Sequence, residues 1–179
     1  MKIIVNAGHT LNGKGTGAVG YITESVETRK VAKHLISILK EKGHNAIEVN
    51  VDKSTSQAAY LREVVNKSNA NKGVDLFVSI HFNAGKGRGT ECYTWKGRKY
   101  KIATDICRNL NKLGFVNRGV KDGSDFYVVR NTTMEAMLIE VCFVDTFDDV
   151  ALYKKHGAKA IAEAIANGIE VGNEKEGKS

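Results

Sequence analysis

The stretch Val74-Asp75-Leu76-Phe77-Val78-Ser79-Ile80 constrains this chain more than any other. A strand that is apolar at successive positions, not alternate ones, has to be covered on both faces, which is the situation inside a parallel sheet flanked by helices. The neighbouring sequence supplies such helices. Over 24–42, Val31, Leu35, Ile38 and Leu39 recur at helical spacing, with Thr23 placed as an N-cap and Gly43 as a C-terminal stop. A second helix is expected over 56–70, strands over 1–7 and 45–51, and the apolar run itself as a third strand. Further on, strands are expected over 90–95, 126–130 and 137–143, and a helix over 100–113. A last helix over 148–169 carries Ala158, Ile161, Ile165 and Ile169 on one face.

Strands alternating with helices of this length predict an α/β fold: a single domain with a mainly parallel twisted sheet flanked by helices on both faces. At 179 residues and 42% hydrophobic content, the chain can bury one sizeable core without disulfides. Cys92, Cys107 and Cys142 form an odd set without CxxC spacing, so they are expected to be core thiols. The first apolar run, Ile3-Ile4-Val5, is far shorter than a signal-peptide core or a membrane span. A chain made in the cytoplasm without a signal peptide and without membrane insertion is therefore expected. Residues 172–179 are polar, charged and glycine-bounded, and read as a linker-like tail, after which a further module is expected. The net charge of +7 favours anionic polymers as partners. Lysine and arginine are spread along the chain and aromatics make up only 7%, so no clustered basic and aromatic platform, and no nucleic acid partner, is expected.

Two of the five histidines, His9 and His81, each directly follow an apolar strand, whereas His34, His44 and His156 fall on helices or at turns. In an open α/β sheet, ligands gather outside the carboxyl ends of the strands, so these two side chains converge on one crevice. Glu24 opens the helix after the first strand and faces the same crevice. Two histidines and a carboxylate match the ligand set of a catalytic zinc with one position left open. Each has an ordinary structural alternative: a histidine at a strand end is commonly just hydrogen-bonded, and an acidic residue in a first helical turn is favoured by the helix dipole. Glu27 lies one turn from Glu24 and competes with it for the ligand role. Glu140 stands inside the apolar run 137–143, where an unpaired carboxylate is costly. Either a nearby cation compensates it or it serves as a general base.

These blocks together resemble the zinc-dependent N-acetylmuramoyl-L-alanine amidases of the Amidase_3 type, found in bacterial autolysins and phage endolysins. The resemblance covers nearly the whole chain and rests on Gly8-His9, on Glu24 ahead of Val31-Ala32, and on the run from Asp75 through His81 to Ala84. It continues through Gly89-Thr90-Glu91, Arg118-Gly119-Val120-Lys121 and the run from Leu138 to Asp145. It implies that His9, Glu24 and His81 hold Zn2+, with the spacing to Ala32 selecting Glu24 over Glu27, and that Glu140 is catalytic. It further implies that residues 1–171 are an amidase catalytic domain. The substrate would be peptidoglycan, cut between N-acetylmuramic acid and L-alanine; the positive charge suggests anionic wall polymers as further partners, and the linker-like tail a C-terminal wall-binding module in the full-length protein. The enzyme would act on the wall after release from the cell.

The chain departs from the family pattern at Asn6-Ala7, where Asp-Pro is usual, at Asp145, where asparagine is frequent, and in having no proline at all. The first departure leaves open how the His9 ring is oriented, a task that often takes a carboxylate or carbonyl partner. Arg130 and Asn83 are further candidates to line the cleft. Two rival readings use the same residues: a zinc peptidase acting on wall peptides, and an α/β module that binds an anionic polymer without hydrolysing anything.

Overall fold

In a computed structural model of the protein, backbone is described for residues 1–176 and side chains for residues 1–170. The linker-like tail expected over 172–179 lies outside the residues with described side chains. The chain runs β1 (Lys2–Ala7), β2 (Asn12–Gly13), α1 (Glu24–Glu41), β3 (Asn45–Glu48), β4 (Lys53–Ser54), α2 (Gln57–Ala70) and β5 (Leu76–Asn83). It continues β6 (Thr90–Thr94), α3 (Lys101–Lys112), β7 (Asn117–Asp122), α4 (Tyr127–Asn131), β8 (Glu135–Phe143) and α5 (Phe147–Glu176). A positive-φ glycine, Gly157, breaks α5 into two helical pieces.

Among the described residues the main sheet has the order β3-β1-β5-β8-β6-β7. Its first four strands are parallel; β6 runs antiparallel to β8, and β7 parallel to β6. The sheet is mostly parallel with helices on both faces, as the sequence predicts. The two-residue period of a strand divides its side chains between two cores. Ile3, Val5, Leu76, Val78, Ile80, Met137 and Ile139 pack with α1, α3 and α5. Ile4, Phe77, Ala136 and Leu138 pack with Tyr60 and Val64 of α2 and Val128 and Val129 of α4.

The chain leaves β1 through α1 on one face to reach β3, then crosses back over β1 through α2 on the other face to reach β5. The direction of winding changes at the β1–β5 neighbours, and their carboxyl ends open the crevice in which such folds bind ligands.

Local signals account for the ends of these elements. Gly43 at φ 85 closes α1, with His44 N–H donating to Leu39 O and Gly43 N–H to Lys40 O, both at 3.0 Å, the two bonds of a Schellman motif. Thr23 occupies the N-cap position of α1, but its side chain makes no capping bond. Ser56 does cap α2, its hydroxyl accepting from Ala59 N–H at 3.1 Å.

The expected strand over 126–130 is a correction: Tyr127–Asn131 form α4, with Phe126 at its N-cap. Val128 and Val129 are both buried in the same core, which consecutive residues of a strand cannot be, and Arg130 N–H donates to Phe126 O at 3.0 Å. β7 was not expected; Asn117-Arg118-Gly119-Val120-Lys121-Asp122 is polar and pairs only at the sheet edge. The three cysteines are free and buried, as core thiols should be. No helix among the described residues is long and apolar enough to cross a membrane.

Candidate metal centre

His9 follows β1 with φ 68, a left-handed conformation that costs a side-chain-bearing residue about 1 kcal/mol and persists only where the surroundings enforce it. Here α1 enforces it. Arg29 donates to His9 O at 2.9 Å and Thr28 donates to Gly8 O at 3.1 Å. Thr10 N–H donates to Gly15 O at 3.0 Å, folding the glycine-rich loop back over the strand end. The His9 ring meets the same carbonyl through Nδ1 at 3.1 Å. A carbonyl only accepts, so Nδ1 carries the proton and Nε2 of the neutral ring presents a lone pair. That Nε2 lies 3.1 Å from Glu24 Oε1.

His81 is set by a longer relay. Asn6 Nδ2 donates to Val49 O at 2.8 Å, which leaves its Oδ1 as an acceptor for the Ser79 hydroxyl at 2.7 Å. With its proton directed to Asn6, Ser79 Oγ accepts from His81 Nε2 at 3.0 Å. The remaining nitrogen, Nδ1, then presents its lone pair to Glu24 Oε1 at 3.1 Å. Burial pushes the His81 imidazole down in pKa, which favours the neutral ring that this relay requires.

Glu24 opens α1 and is almost entirely buried. Its Oε2 accepts from Ala18 N–H at 2.8 Å and its Oε1 from Phe82 N–H at 3.0 Å. Burial disfavours its charged form, and these two backbone N–H donors favour it. Two imidazole lone pairs thus converge on one carboxylate oxygen, and three acceptors gathered in this way repel unless a cation lies among them. His9, Glu24 and His81 each offer a ligand atom within 4.8 Å of the others, so the donor set and its proton arrangement fit a divalent metal. Close packing protects the arrangement: a Cβ on Gly8 would lie 2.4 Å from the His81 ring, and one on Gly17 would lie 2.6 Å from Glu24 Oε2.

Glu140 is the residue of β8 that pairs with His81 of β5. It is 8% exposed, and its Oε2 has no hydrogen-bond partner among the described residues. Burial, then repulsion from Glu24 and Glu91, pushes its pKa well above the ordinary value. The cations that could have compensated it lie elsewhere: Arg118 and Lys121 of β7 both contact Glu91 Oε2, at 2.7 and 2.5 Å. Glu91 also accepts from Tyr93 Oη at 2.9 Å and from Asn83 Nδ2 at 2.8 Å. The metal-type triad and Glu140 share one cleft of about 540 Å³, which Asn83, Asp125, Phe126 and Tyr127 help to line.

Glu27, the competitor of Glu24, points away from the triad, accepting from Tyr153 Oη and Lys30 Nζ, both at 2.8 Å. Asn83 lines the cleft as expected; Arg130 does not, because it lies on α4 facing a different cleft. His9 is oriented by the Gly15 carbonyl, while Asn6 serves His81 through Ser79. Sequence reasoning passed over Asn6 and Ser79. Their signal was available, since each is a polar residue inside an apolar strand, the feature that singled out Glu140.

The match to the Amidase_3 family, described as N-acetylmuramoyl-L-alanine amidase, runs over residues 3–171. An uncharacterized protein of Clostridium perfringens (strain 13 / Type A) is 41% identical over 185 residues, spanning 98% of this chain and 52% of that protein. The endolysin of Bacillus phage SPP1 is 36% identical over 177 residues, spanning 92% of this chain and 63% of its own length. The chain spans about half the length of the Clostridium perfringens relatives it matches. Among solved structures, the catalytic domain of CD27L endolysin targeting Clostridia Difficile is similar with a TM-score of 0.86 at 27% identity, over 94% of this chain and 96% of that one. With the matched span taking in His9, Glu24, His81 and Glu140 alike, this chain belongs to the Amidase_3 family of N-acetylmuramoyl-L-alanine amidases.

Proposed function

We propose that this chain hydrolyses the amide bond between the lactyl group of N-acetylmuramic acid and the L-alanine of the peptidoglycan stem, using Zn2+ held by His9, Glu24 and His81. The observation that carries this reading is the convergence of two imidazole lone pairs on Glu24 Oε1 beside an unpartnered Glu140. Zinc, when bound there, supplies Lewis acidity, polarising the scissile carbonyl and making the attacking water more acidic.

The protein's own groups do the rest. Glu140 takes a proton from the water as its oxygen attacks the carbonyl carbon, then delivers that proton to the L-alanine nitrogen as the C–N bond breaks. The products are a lactyl carboxylate and a free amino terminus. A carboxyl whose charged form is disfavoured by burial accepts a proton readily, and the absence of a fixed partner on Oε2 leaves that oxygen available to do so. The Gly15 carbonyl and the Asn6–Ser79 relay keep the two rings in the tautomers that bind metal. Peptidoglycan as substrate makes the bacterial wall the site of action.

Purified peptidoglycan incubated with the protein should release L-alanine amino termini. Release should stop on chelation and return when zinc is added. Absence of new amino termini with zinc present would overturn the assignment, and new termini from other stem residues would instead indicate a peptidase.

A further inference from the structure

The segment Trp95-Lys96-Gly97-Arg98-Lys99-Tyr100-Lys101 interleaves four cations with two aromatic residues, so the expectation that no such platform exists is corrected. The segment forms part of a second cleft of about 400 Å³, lined by Trp95, Arg98, Tyr100, Arg130 and Glu135 among others. β6 runs antiparallel to β8, so Trp95 emerges where β8 begins, at the opposite end of the sheet from the triad. Glu135 starts β8 and Glu140 lies five residues on, about 17 Å along the strand. α4 separates the two clefts, Val128 lining the first and Arg130 the second.

Of the five arginines outside this cleft, Arg62 makes no ion pair among the described residues and the other four do. Arg29, Arg88, Arg108 and Arg118 each face a carboxylate. Within the platform, Lys101 is paired with Asp105, and Lys96 lies beside Asp122. Arg98, Lys99 and Arg130 are exposed and make no ion pair among the described residues. Glu135 is the carboxylate of the lining, half-buried with its Oε1 withdrawn from the surface. Two unpaired guanidinium groups and an ammonium on neighbouring segments suit the phosphodiesters of an extended anion, which guanidinium forks engage through paired N–H donors.

The aromatic residues argue against nucleic acid. Trp95 and Tyr100 are half-buried, and the Lys96 ammonium sits over the Trp95 ring, 5.6 Å from its centroid, in a turn where Lys96 adopts φ 54. A base needs an open ring face on which to stack, and this one is covered.

We infer that this cleft binds a polyol-phosphate polymer of the bacterial wall through Arg98, Lys99 and Arg130. The choice of a wall polymer rests on the amidase reading; the polyanion chemistry does not. Held about 17 Å from the triad, the polymer leaves the amide site free and keeps the enzyme at its substrate.

The test is co-sedimentation and titration with purified wall teichoic acid, in 50 and 200 mM salt. It compares the protein with Arg98→Gln/Lys99→Gln/Arg130→Gln and with Lys33→Gln/Lys40→Gln/Lys154→Gln, which removes the same charge from exposed sites elsewhere. Salt-sensitive binding that the first triple substitution weakens by about tenfold or more, and the second far less, is the expected result. Equal weakening by both would mean that net charge alone acts, and would overturn the site. Unaltered binding in the first variant would overturn it as well. Tighter binding of a single-stranded oligonucleotide of equal phosphate number, with the same dependence on the three residues, would replace the wall polymer by nucleic acid. Because the readout is binding, loss of the amidase reading in a hydrolysis assay would leave this result standing.

Discussion

Glu91 and Glu140 face each other across the antiparallel β6–β8 pair, each a nearly buried carboxylate in a strand, yet their surroundings are opposite. On the edge side, β7 brings Arg118 and Lys121 onto Glu91, and Tyr93 and Asn83 complete its hydrogen bonds. On the inner side, Glu140 has an oxygen without a partner among the described residues and only other carboxylates for electrostatic company. Burial raises both groups; the contacts from Lys121, Arg118 and Tyr93 reverse the effect at Glu91, and nothing reverses it at Glu140. The lesson is that one carboxylate can be satisfied completely while its neighbour is kept uncompensated, and the uncompensated one lies beside the triad. A structural carboxylate and the one proposed to be catalytic differ here by their partners, not by their depth.

The sharpest break between the two is catalytic. Glu140→Gln should lower the release of L-alanine amino termini by about 10²–10⁴-fold, with metal content by elemental analysis unchanged. The same variant should unfold no more easily than the parent, because it removes an unsatisfied buried charge. Near-normal turnover would remove Glu140 from the mechanism and leave the metal centre intact.

Glu91→Gln should reverse the pattern, with stability lost by about 2 kcal/mol in denaturant titration, since two half-exposed cations lose their buried partner. The pH dependence has a definite sign. Glu91 has a folded pKa below its unfolded value, so its contribution is complete at neutral pH and disappears as pH falls from the ordinary glutamate range through the depressed folded value. The stability gap between parent and Glu91→Gln should therefore narrow on acidification; a gap independent of pH would show that the ion pairs contribute nothing.

The smallest effect belongs to a third carboxylate. Glu27→Gln should cost about 1 kcal/mol through weakened contacts to Tyr153 and Lys30, with metal content retained. A loss of bound metal in that variant would mean that Glu27, and not Glu24, serves the centre.

Much of this was readable without coordinates. The apolar run before His81 demanded a sheet covered on both faces, and the helical spacing around it left few architectures. Two histidines at strand ends and a lone glutamate in an apolar strand marked the crevice, because polar groups in such positions need a reason. Helical spacing left Glu24 and Glu27 on one face and only the resemblance chose between them; packing against Tyr153 turns Glu27 away from the triad.

The alternation of strands and helices around the β1, β5 and β8 core and the residues His9, Glu24, His81 and Glu140 at the crevice were determined by the sequence alone, since they follow from local preference and from the need to bury apolar faces. The tertiary structure decided the rest: which cations go to Glu91, which tautomer each histidine takes, and where Arg130 points. Most of these depend on distant partners, such as Glu91 with Arg118, 27 residues away, and Asn6 with Ser79, 73 residues away. The energy of a buried hydrogen bond or ion pair is set by geometry between such distant segments, to which the pattern of residues along the chain is blind.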